Sequence, residues 1–280
     1  VDQQIVGILH PGSMGAAMAS ALRPNAQRVL WCPEGRSRAT IARAELYGLE
    51  PVPTLGDLVE QCHTIISLCP PAAAEDVARQ VAAHGGFRGG LYVEANAISP
   101  ATVDRICELL PDVWAIVDAA VVGSPPTGGK KPRLYLSGWP NPVRWVEELF
   151  AGTDVSTHNV GSNAGQASAL KLSYTSFQKT SRVLAALALA AAREHGVDQE
   201  LIDIASKRGG SYLAEPEYVA KTAARAWRWG PELEEAADML AAAGLPPEMM
   251  RAAAATLARW DDVKDGELTL TDALNQLAQP

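Results

Sequence analysis

Two stretches of the sequence carry residue types and spacings that could do chemistry. The first is Ile5 to Ala17, IVGILHPGSMGAA. An apolar run, Ile5 to Leu9, turns through His10-Pro11-Gly12-Ser13-Met14-Gly15 and continues in small residues suited to a helix. A strand that feeds a helix through glycines leaves the first helical N–H groups unpaired and facing outward, which suits a pyrophosphate. The dinucleotide fingerprint in this context is G-x-G-x-x-G. Gly12 and Gly15 supply its second and third glycines, so the backbone can approach a pyrophosphate and the helix can pack on the strand. His10 stands at the first position, and Pro11 is expected to offset the missing glycine by fixing the backbone.

The second stretch is Ser168-Ala169-Leu170-Lys171-Leu172-Ser173-Tyr174-Thr175. The neighbours of Lys171 are mostly small or apolar. A partly buried lysine has a lowered pKa and can exchange a proton near neutral pH. Tyr174, Thr175 and Gln178 follow on the same helical face, and Lys179 lies two turns along. The competing reading is a lysine that snorkels out of an amphipathic helix. Lys179 has two readings as well, a partner for a substrate carboxylate or an idle surface residue.

A third segment, Cys32-Pro33-Glu34-Gly35-Arg36-Ser37-Arg38, follows the second apolar run. At this place an acidic residue binds a ribose 2′-hydroxyl and a basic one accommodates a 2′-phosphate. Glu34 is available for the first role. Arg36 and Arg38 supply charge and Ser37 a hydroxyl for the second, which favours NADP(H) over NAD(H).

The elements that must position these residues change character along the chain. Apolar runs at Arg28–Cys32, Thr64–Cys69, Leu91–Glu94, Val113–Val117 and Arg133–Leu136 alternate with helical patterns at Arg38–Tyr47, Ala72–Ala83 and Pro100–Leu110. This predicts a parallel sheet covered on both faces, with ligands outside the carboxyl ends of its strands. From Gly161 the strand signal stops. A helix is predicted over Gln166–His195, roughly 45 Å long, stopped by Gly196. Further helices are predicted over Gln199–Lys207, Pro216–Trp229, Pro231–Ala243, Pro247–Trp260 and Thr271–Leu277, with breaks at Arg208-Gly209-Gly210, Gly230, Gly244-Leu245-Pro246 and Asp265-Gly266. The fold class expected is an α/β Rossmann-type N-terminal domain, residues 1–160, followed by an all-α C-terminal domain, residues 161–280, linked by the long helix.

Composition narrows the partners. A length of 280 residues suggests one large or two ordinary domains, and 48% hydrophobic content can bury a substantial core. A net charge of −8 argues against a nucleic-acid partner. Cys32, Cys62, Cys69 and Cys107 form no C-x-x-C pair and suggest buried thiols in a reducing compartment; no metal site is expected. The longest apolar segment, Val183 to Ala192, is too short to span a bilayer. No signal-peptide pattern opens the sequence. The expectation is a cytoplasmic protein with no membrane partner.

Taken together, these segments resemble the β-hydroxyacid dehydrogenase and 6-phosphogluconate dehydrogenase-like superfamily, with the uncharacterised helical C-terminal domain often joined to it. Gly7 to Gly15 is similar to the family's glycine turn, including Met14 before the last glycine. Ser67-Leu68-Cys69-Pro70-Pro71 resembles the loop bordering the cofactor, and Glu94-Ala95-Asn96-Ala97-Ile98-Ser99-Pro100 the segment that touches nicotinamide and substrate. Asp118 to Ser124 resembles the substrate-binding segment, and Lys171 falls where the family places its catalytic lysine. Ala226-Trp227-Arg228-Trp229 and Ala241 to Pro247 resemble features of the helical domain.

The resemblance implies hydride transfer between nicotinamide and a small hydroxy acid, alcohol or carbonyl compound, with Lys171 as general acid/base. It implies cofactor contacts at His10 to Gly15, Arg36, Ser37, Arg38, Cys69, Pro70 and Asn96. Substrate contacts are implied at Asn96, Ser99, Val122, Gly123, Ser124, Tyr174, Thr175, Gln178 and Lys179. It also implies a homodimer. Departures are His10 for glycine, Ser124-Pro125-Pro126 in place of a second glycine, and Thr175 for the family's asparagine. Tyr174-Thr175 and Gln178 replace the His-Asn pair and acid of true 6-phosphogluconate dehydrogenases. Imine reductases of the same superfamily usually carry aspartate or tyrosine instead of the lysine, so Tyr174 leaves imine reduction as an alternative. A second alternative is an NADP-binding sensor without turnover.

Overall fold

A computed structural model describes residues 4–85, 87–207, 210, 212 and 215–278. Arg208 and Gly209 of the expected break at Arg208-Gly209-Gly210 lie outside the described residues. The chain divides after Lys171 into two compact units.

The first unit is built on eight strands: β1 (Gln4–Leu9), β2 (Ala26–Trp31), β3 (Glu50–Pro51), β4 (Thr64–Ser67), β5 (Leu91–Glu94), β6 (Ala115–Val122), β7 (Arg133–Ser137) and β8 (Ser156–Gly161). Their order is β3-β2-β1-β4-β5-β6-β7-β8. Neighbours pair in parallel throughout except at β6–β7, where the chain reverses and pairs Asp118 with Ser137. Strands buried on both faces explain the unbroken apolar runs. Val6 and Ile8 of β1 enter one core, whereas Ile5 and Leu9 pack with the other. The first core takes residues of α1 (Ser13–Leu22), α2 (Arg38–Leu46) and α6 (Pro140–Leu149). The second takes residues of α3 (Leu55–Gln61), α4 (Ala74–Ala83) and α5 (Pro100–Leu109). Gly7 lets α3 come close, since a Cβ there would lie 2.7 Å from Leu58 Cδ2.

Four elements were not expected. β3 is two residues long, and its Pro51 hides it. β8 is an edge strand, STHNVG, with no apolar run to mark it. α6 opens on Pro140-Asn141-Pro142, and proline is tolerated in a first turn. α3 announces itself by a capping box, in which Thr54 and Asp57 exchange hydrogen bonds. β6 also runs to Val122 rather than Val117, so Asp118 lies inside a strand and not in a loop.

α7 (Gln166–Glu194) is the expected long helix, and its first turn and a half belongs with the sheet. The second unit continues with α8 (Asp198–Ser206), α9 (Tyr218–Ala223), α10 (Ala226–Ala242), α11 (Glu248–Leu257), a 3-10 segment Ala258–Val263 and α12 (Leu270–Ala278). Its core gathers Leu172, Val183 and Leu189 of α7, Trp229 and Leu233 of α10, Leu257 and Trp260. The Trp260 indole donates to Ala273 O at 3.0 Å, which ties α12 in place. The expected break at Gly230 is absent: α10 runs through Gly230-Pro231, and the chain breaks at Ala224-Arg225 instead. Pro231 lies near the start of α10, where it removes a single hydrogen bond, and Gly230 has no Cβ to meet its ring. No helix among the described residues is long and apolar enough to cross a membrane.

Candidate active site

The turn after β1 joins the strand to α1 through Gly12 and Gly15. Gly15 is obligatory, since a Cβ there would lie 2.8 Å from His10 O. A Cβ on Gly12 would meet nothing within 4 Å, so that side of the turn is open. Gly12 caps α1 without a side-chain hydrogen bond, which leaves the N–H groups of the first turn to other partners. Pro11 does not relieve the first position as expected. His10 itself adopts the left-handed conformation, φ 63°, that a glycine would take without cost.

Beside this turn lies a cavity of about 180 Å³, lined by His10, Cys32, Glu34, Arg36, Leu55 and Gln80 among others. His10 Nδ1 and Arg36 Nε are buried there without a hydrogen-bond partner among the described residues. Burial, and then the Arg36 charge, lower the His10 pKa to about 4. Arg38 and Ser37 are exposed, and the Ser37 hydroxyl is engaged in capping α2 through Thr40 N at 3.2 Å. Ser13 is exposed, and Met14 packs against the first core.

At the carboxyl ends of β4 and β5, Asn96 is a brace. Its Oδ1 accepts from Cys69 N, its Nδ2 donates to Ser67 Oγ at 3.1 Å, and its own N–H donates to Glu94 Oε1 at 2.9 Å. The side chain expected to touch a ligand also fixes the loop before Pro70. Burial pushes the Cys69 thiol up to about 12, so it is not a nucleophile at neutral pH. Ser99 caps α5 through Thr102 N at 3.2 Å.

Sequence reasoning gave no role to Glu94, which is fully buried with Oε2 unpartnered among the described residues. Burial raises its pKa to about 8, against the opposing hydrogen bonds from Asn96. The folded protein thus keeps a proton that the unfolded chain loses near the ordinary carboxylate pKa. Stability should fall as pH rises between about 4.5 and about 8, by roughly 1.4 kcal/mol per unit in that window. Urea unfolding at about pH 5 and about pH 8 should show this slope in the wild type and a flatter one in Glu94→Gln. Equal slopes would mean that Glu94 is already ionised.

β6 carries the anchor for α7. Asp118 Oδ2 accepts from Gly165 N at 2.9 Å, Ser168 N at 2.9 Å and Ser137 Oγ at 3.1 Å, while Oδ1 accepts from Ser168 Oγ at 2.6 Å. Ser137 Oγ in turn accepts from Ala167 N at 3.0 Å. Burial raises the Asp118 pKa, opposed by these donors. One turn beyond Ser168, Lys171 is half-buried and its Nζ donates to Val121 O at 2.7 Å. The amine is thus held at the carboxyl end of β6. Val122 closes that strand, and Gly123 (φ 123°) and Ser124 are exposed just beyond it.

Further along α7, Thr175 is buried and Tyr174 is 46% exposed. Gln178 is intermediate. Lys179 is not the surface lysine that one reading supposed: it is 5% exposed, its ammonium pairs with Glu232, and it lies 5.3 Å from the Trp229 ring centroid. Its charge already has a carboxylate. Trp229 belongs to the helical core, and Trp227 donates weakly to Asp265 at 3.4 Å. No group of three or more potential metal ligands occurs among the described residues, and the four cysteines are free.

The comparisons with known proteins agree with this architecture. Residues 192–260 match the family model described as a domain of unknown function, DUF1932. An uncharacterised 28.5 kDa protein in the 7S RNA 5′ region of Methanothermus fervidus is 26% identical over 206 residues, 73% of this chain and 77% of that protein. Among solved structures, the conserved protein MTH1747, of unknown function and structurally similar to 3-hydroxyacid dehydrogenases, is 27% identical with a TM-score of 0.66, covering 98% of this chain and 99% of that one. The Mycobacterium tuberculosis 3-hydroxyisobutyrate dehydrogenase, solved with L-serine, is 18% identical with a TM-score of 0.74, covering 99% and 100%. A reductive aminase from Aspergillus terreus, in complex with NADPH and ethyl levulinate, is 16% identical with a TM-score of 0.59, covering 98% and 99%. The chain has the two-part fold of 3-hydroxyacid dehydrogenases and reductive aminases, and the family resemblance read from its sequence holds at that level.

Proposed function

We propose that this chain is an NADP(H)-dependent oxidoreductase of small hydroxy acids, alcohols or carbonyl compounds, with Lys171 moving the proton. The observation that carries the reading is the Lys171 amine, held on Val121 O at the carboxyl edge of the sheet, the edge where ligands of such sheets bind.

The residues present fit a dinucleotide. The space over Gly12 and the uncapped first turn of α1 suit a pyrophosphate. The unpartnered Arg36 Nε beside the cavity suits an anion, which favours the 2′-phosphorylated cofactor. When bound, the nicotinamide supplies or accepts a hydride. The protein's part is to hold the substrate and move a proton. Lys171 takes the proton of a substrate hydroxyl during oxidation and returns it during reduction, and Val121 O fixes where its amine points. Val122, Gly123 and Ser124 offer backbone groups to the substrate's polar end. Asn96 and Ser99 act through the loop and helix start that they brace. Tyr174, Thr175 and Gln178 share the helical face of Lys171 and are assigned to the substrate side.

Imine reduction is the second reading. It is favoured by the half-exposed Tyr174 ring one helical turn from Lys171 and by the shared fold of the reductive aminase. A panel of hydroxy acids, aldehydes and cyclic imines with NADPH and NADH decides between the readings. Turnover of imines alone would favour the second, and nucleotide binding with no turnover of any class would leave a sensor.

A homodimer belongs to the same proposal. Leu170, Phe177 and Leu184 recur at heptad spacing on α7 and are 41%, 68% and 54% exposed. Such a stripe is suited to a second copy of the helix. Light scattering should give twice the chain mass, and Phe177→Glu should lower it; a monomeric wild type overturns the assignment.

A further inference from the structure

We propose that His10 is a specificity-determining residue that joins Arg36 in binding the 2′-phosphate of the adenosine end of NADP(H). The inference rests on the nicotinamide-nucleotide reading above and goes beyond it, because the fingerprint places a glycine, with no side chain, where this chain has His10.

Three observations carry it. The first is conformational. A histidine at φ 63° carries a cost of about 1–2 kcal/mol, which glycine would remove. A residue kept in that conformation points to a use for its side chain. The second is placement. The imidazole and the Arg36 guanidinium line the same cavity of about 180 Å³. The third is unmet hydrogen bonding. His10 Nδ1 and Arg36 Nε are both buried without a partner among the described residues. Such groups are costly unless a partner arrives. A phosphomonoester in the cavity brings a charge that attracts both side chains and acceptor oxygens toward which their N–H groups can turn.

The same geometry sets a proton linkage. Without ligand, burial and the Arg36 charge hold His10 neutral, with a pKa of about 4. An anion accepting a hydrogen bond from the imidazole would favour its charged form. Binding would then draw one proton from solvent onto His10. NADPH affinity should rise as pH falls toward the free His10 pKa, whereas NADH, which lacks the phosphate, should show no such term. The other groups around the imidazole are few. The loop after β2 contributes Glu34 and the Cys32 thiol. Arg43 of α2 reaches Pro11 O at 3.5 Å. α4 contributes Gln80, and Leu55 stands at the start of α3; neither titrates. The phosphate's own ionisation near pH 6 acts alike in every variant, so the comparison below isolates His10.

The test is calorimetric titration of the full chain with NADPH and with NADH at about pH 6, in two buffers of different ionisation enthalpy. Wild type is compared with His10→Asn and His10→Gly. Asparagine tolerates the left-handed conformation and does not titrate; glycine relieves the turn. We expect wild type to take up more protons on NADPH binding than His10→Asn, by up to about one. Both variants should bind NADPH about tenfold more weakly with NADH affinity unchanged. Equal proton uptake and equal NADPH affinity in wild type and variants would overturn the role of His10 and leave the nucleotide reading standing. Tighter NADPH binding by His10→Gly would make the imidazole an obstruction and would overturn it too. Failure of wild type to bind either nucleotide would remove both readings together.

Discussion

Lys171→Ala is expected to lower kcat for hydroxyl oxidation or carbonyl reduction by about 10²–10⁴-fold, the usual contribution of a positioned acid or base. NADPH affinity should stay within about twofold, because the nucleotide contacts proposed at Gly12 and Arg36 lie elsewhere. The amine donates to Val121 O at 2.7 Å, at the edge of the sheet where ligands of such folds bind. Removing the side chain deletes the half-buried hydrogen bond to Val121 O, and a hydrogen bond of this kind is worth about 1 kcal/mol, so the fold should survive and the loss should fall on kcat. Lys171→Arg separates proton transfer from mere charge. An arginine can still donate to Val121 O, but it stays protonated and should remain as slow as the alanine variant. Steady-state kinetics at saturating nucleotide, with unfolding midpoints measured alongside, checks all three forms. Arginine restoring the rate would reduce Lys171 to an electrostatic support. Full activity in the alanine variant would remove it from the chemistry.

The sequence disclosed most where local pattern and tertiary role coincide. β5 appears at its expected bounds because a buried parallel strand is apolar on both faces. The long helix appears because nothing in Gln166 to Glu194 interrupts it. Pattern failed where tertiary context decided the outcome. β8 is polar because it is an edge, and Gly230-Pro231 reads as a stop yet lies inside α10. The candidate site divides along the same line. The strand–turn–helix at Gly12 and Gly15 and the half-buried place of Lys171 could be read from residue type. The braces were not, because Asn96, Ser99 and Lys179 resemble ligand contacts in sequence and are engaged inside the fold. Glu94 and Asp118 could have been flagged by one rule: an acid in an apolar strand must find donors or stay protonated. The two acids take different routes. Among the described residues Glu94 has one oxygen without a partner, whereas Asp118 has four donors.

Those four donors make Asp118→Ala the substitution with the largest expected cost in stability, about 3–5 kcal/mol. It would leave the N–H groups of Gly165 and Ser168 and the hydroxyls of Ser137 and Ser168 facing an apolar methyl. Each such group costs about 1–3 kcal/mol when buried unpaired, and partial rescue by water sets the lower end. Asp118→Asn should cost far less. Its amide oxygen can replace Oδ2 toward three donors, and its amide N–H can donate to Ser168 Oγ, which accepts as readily as it donates. The effect should also reach Lys171. Asp118 fixes Gly165 and Ser168, and Lys171 follows Ser168 by one helical turn. Loosening that turn moves the amine relative to Val121 O, and misplacement of a reacting group by about 1 Å can cost 10²-fold. Asp118→Ala should therefore lose both stability and kcat, whereas Lys171→Ala loses kcat alone. Denaturant melts and steady-state rates on the two variants test the distinction. If Asp118→Ala melted like wild type, the start of α7 would be held by packing, and Lys171 would owe its position to its apolar neighbours.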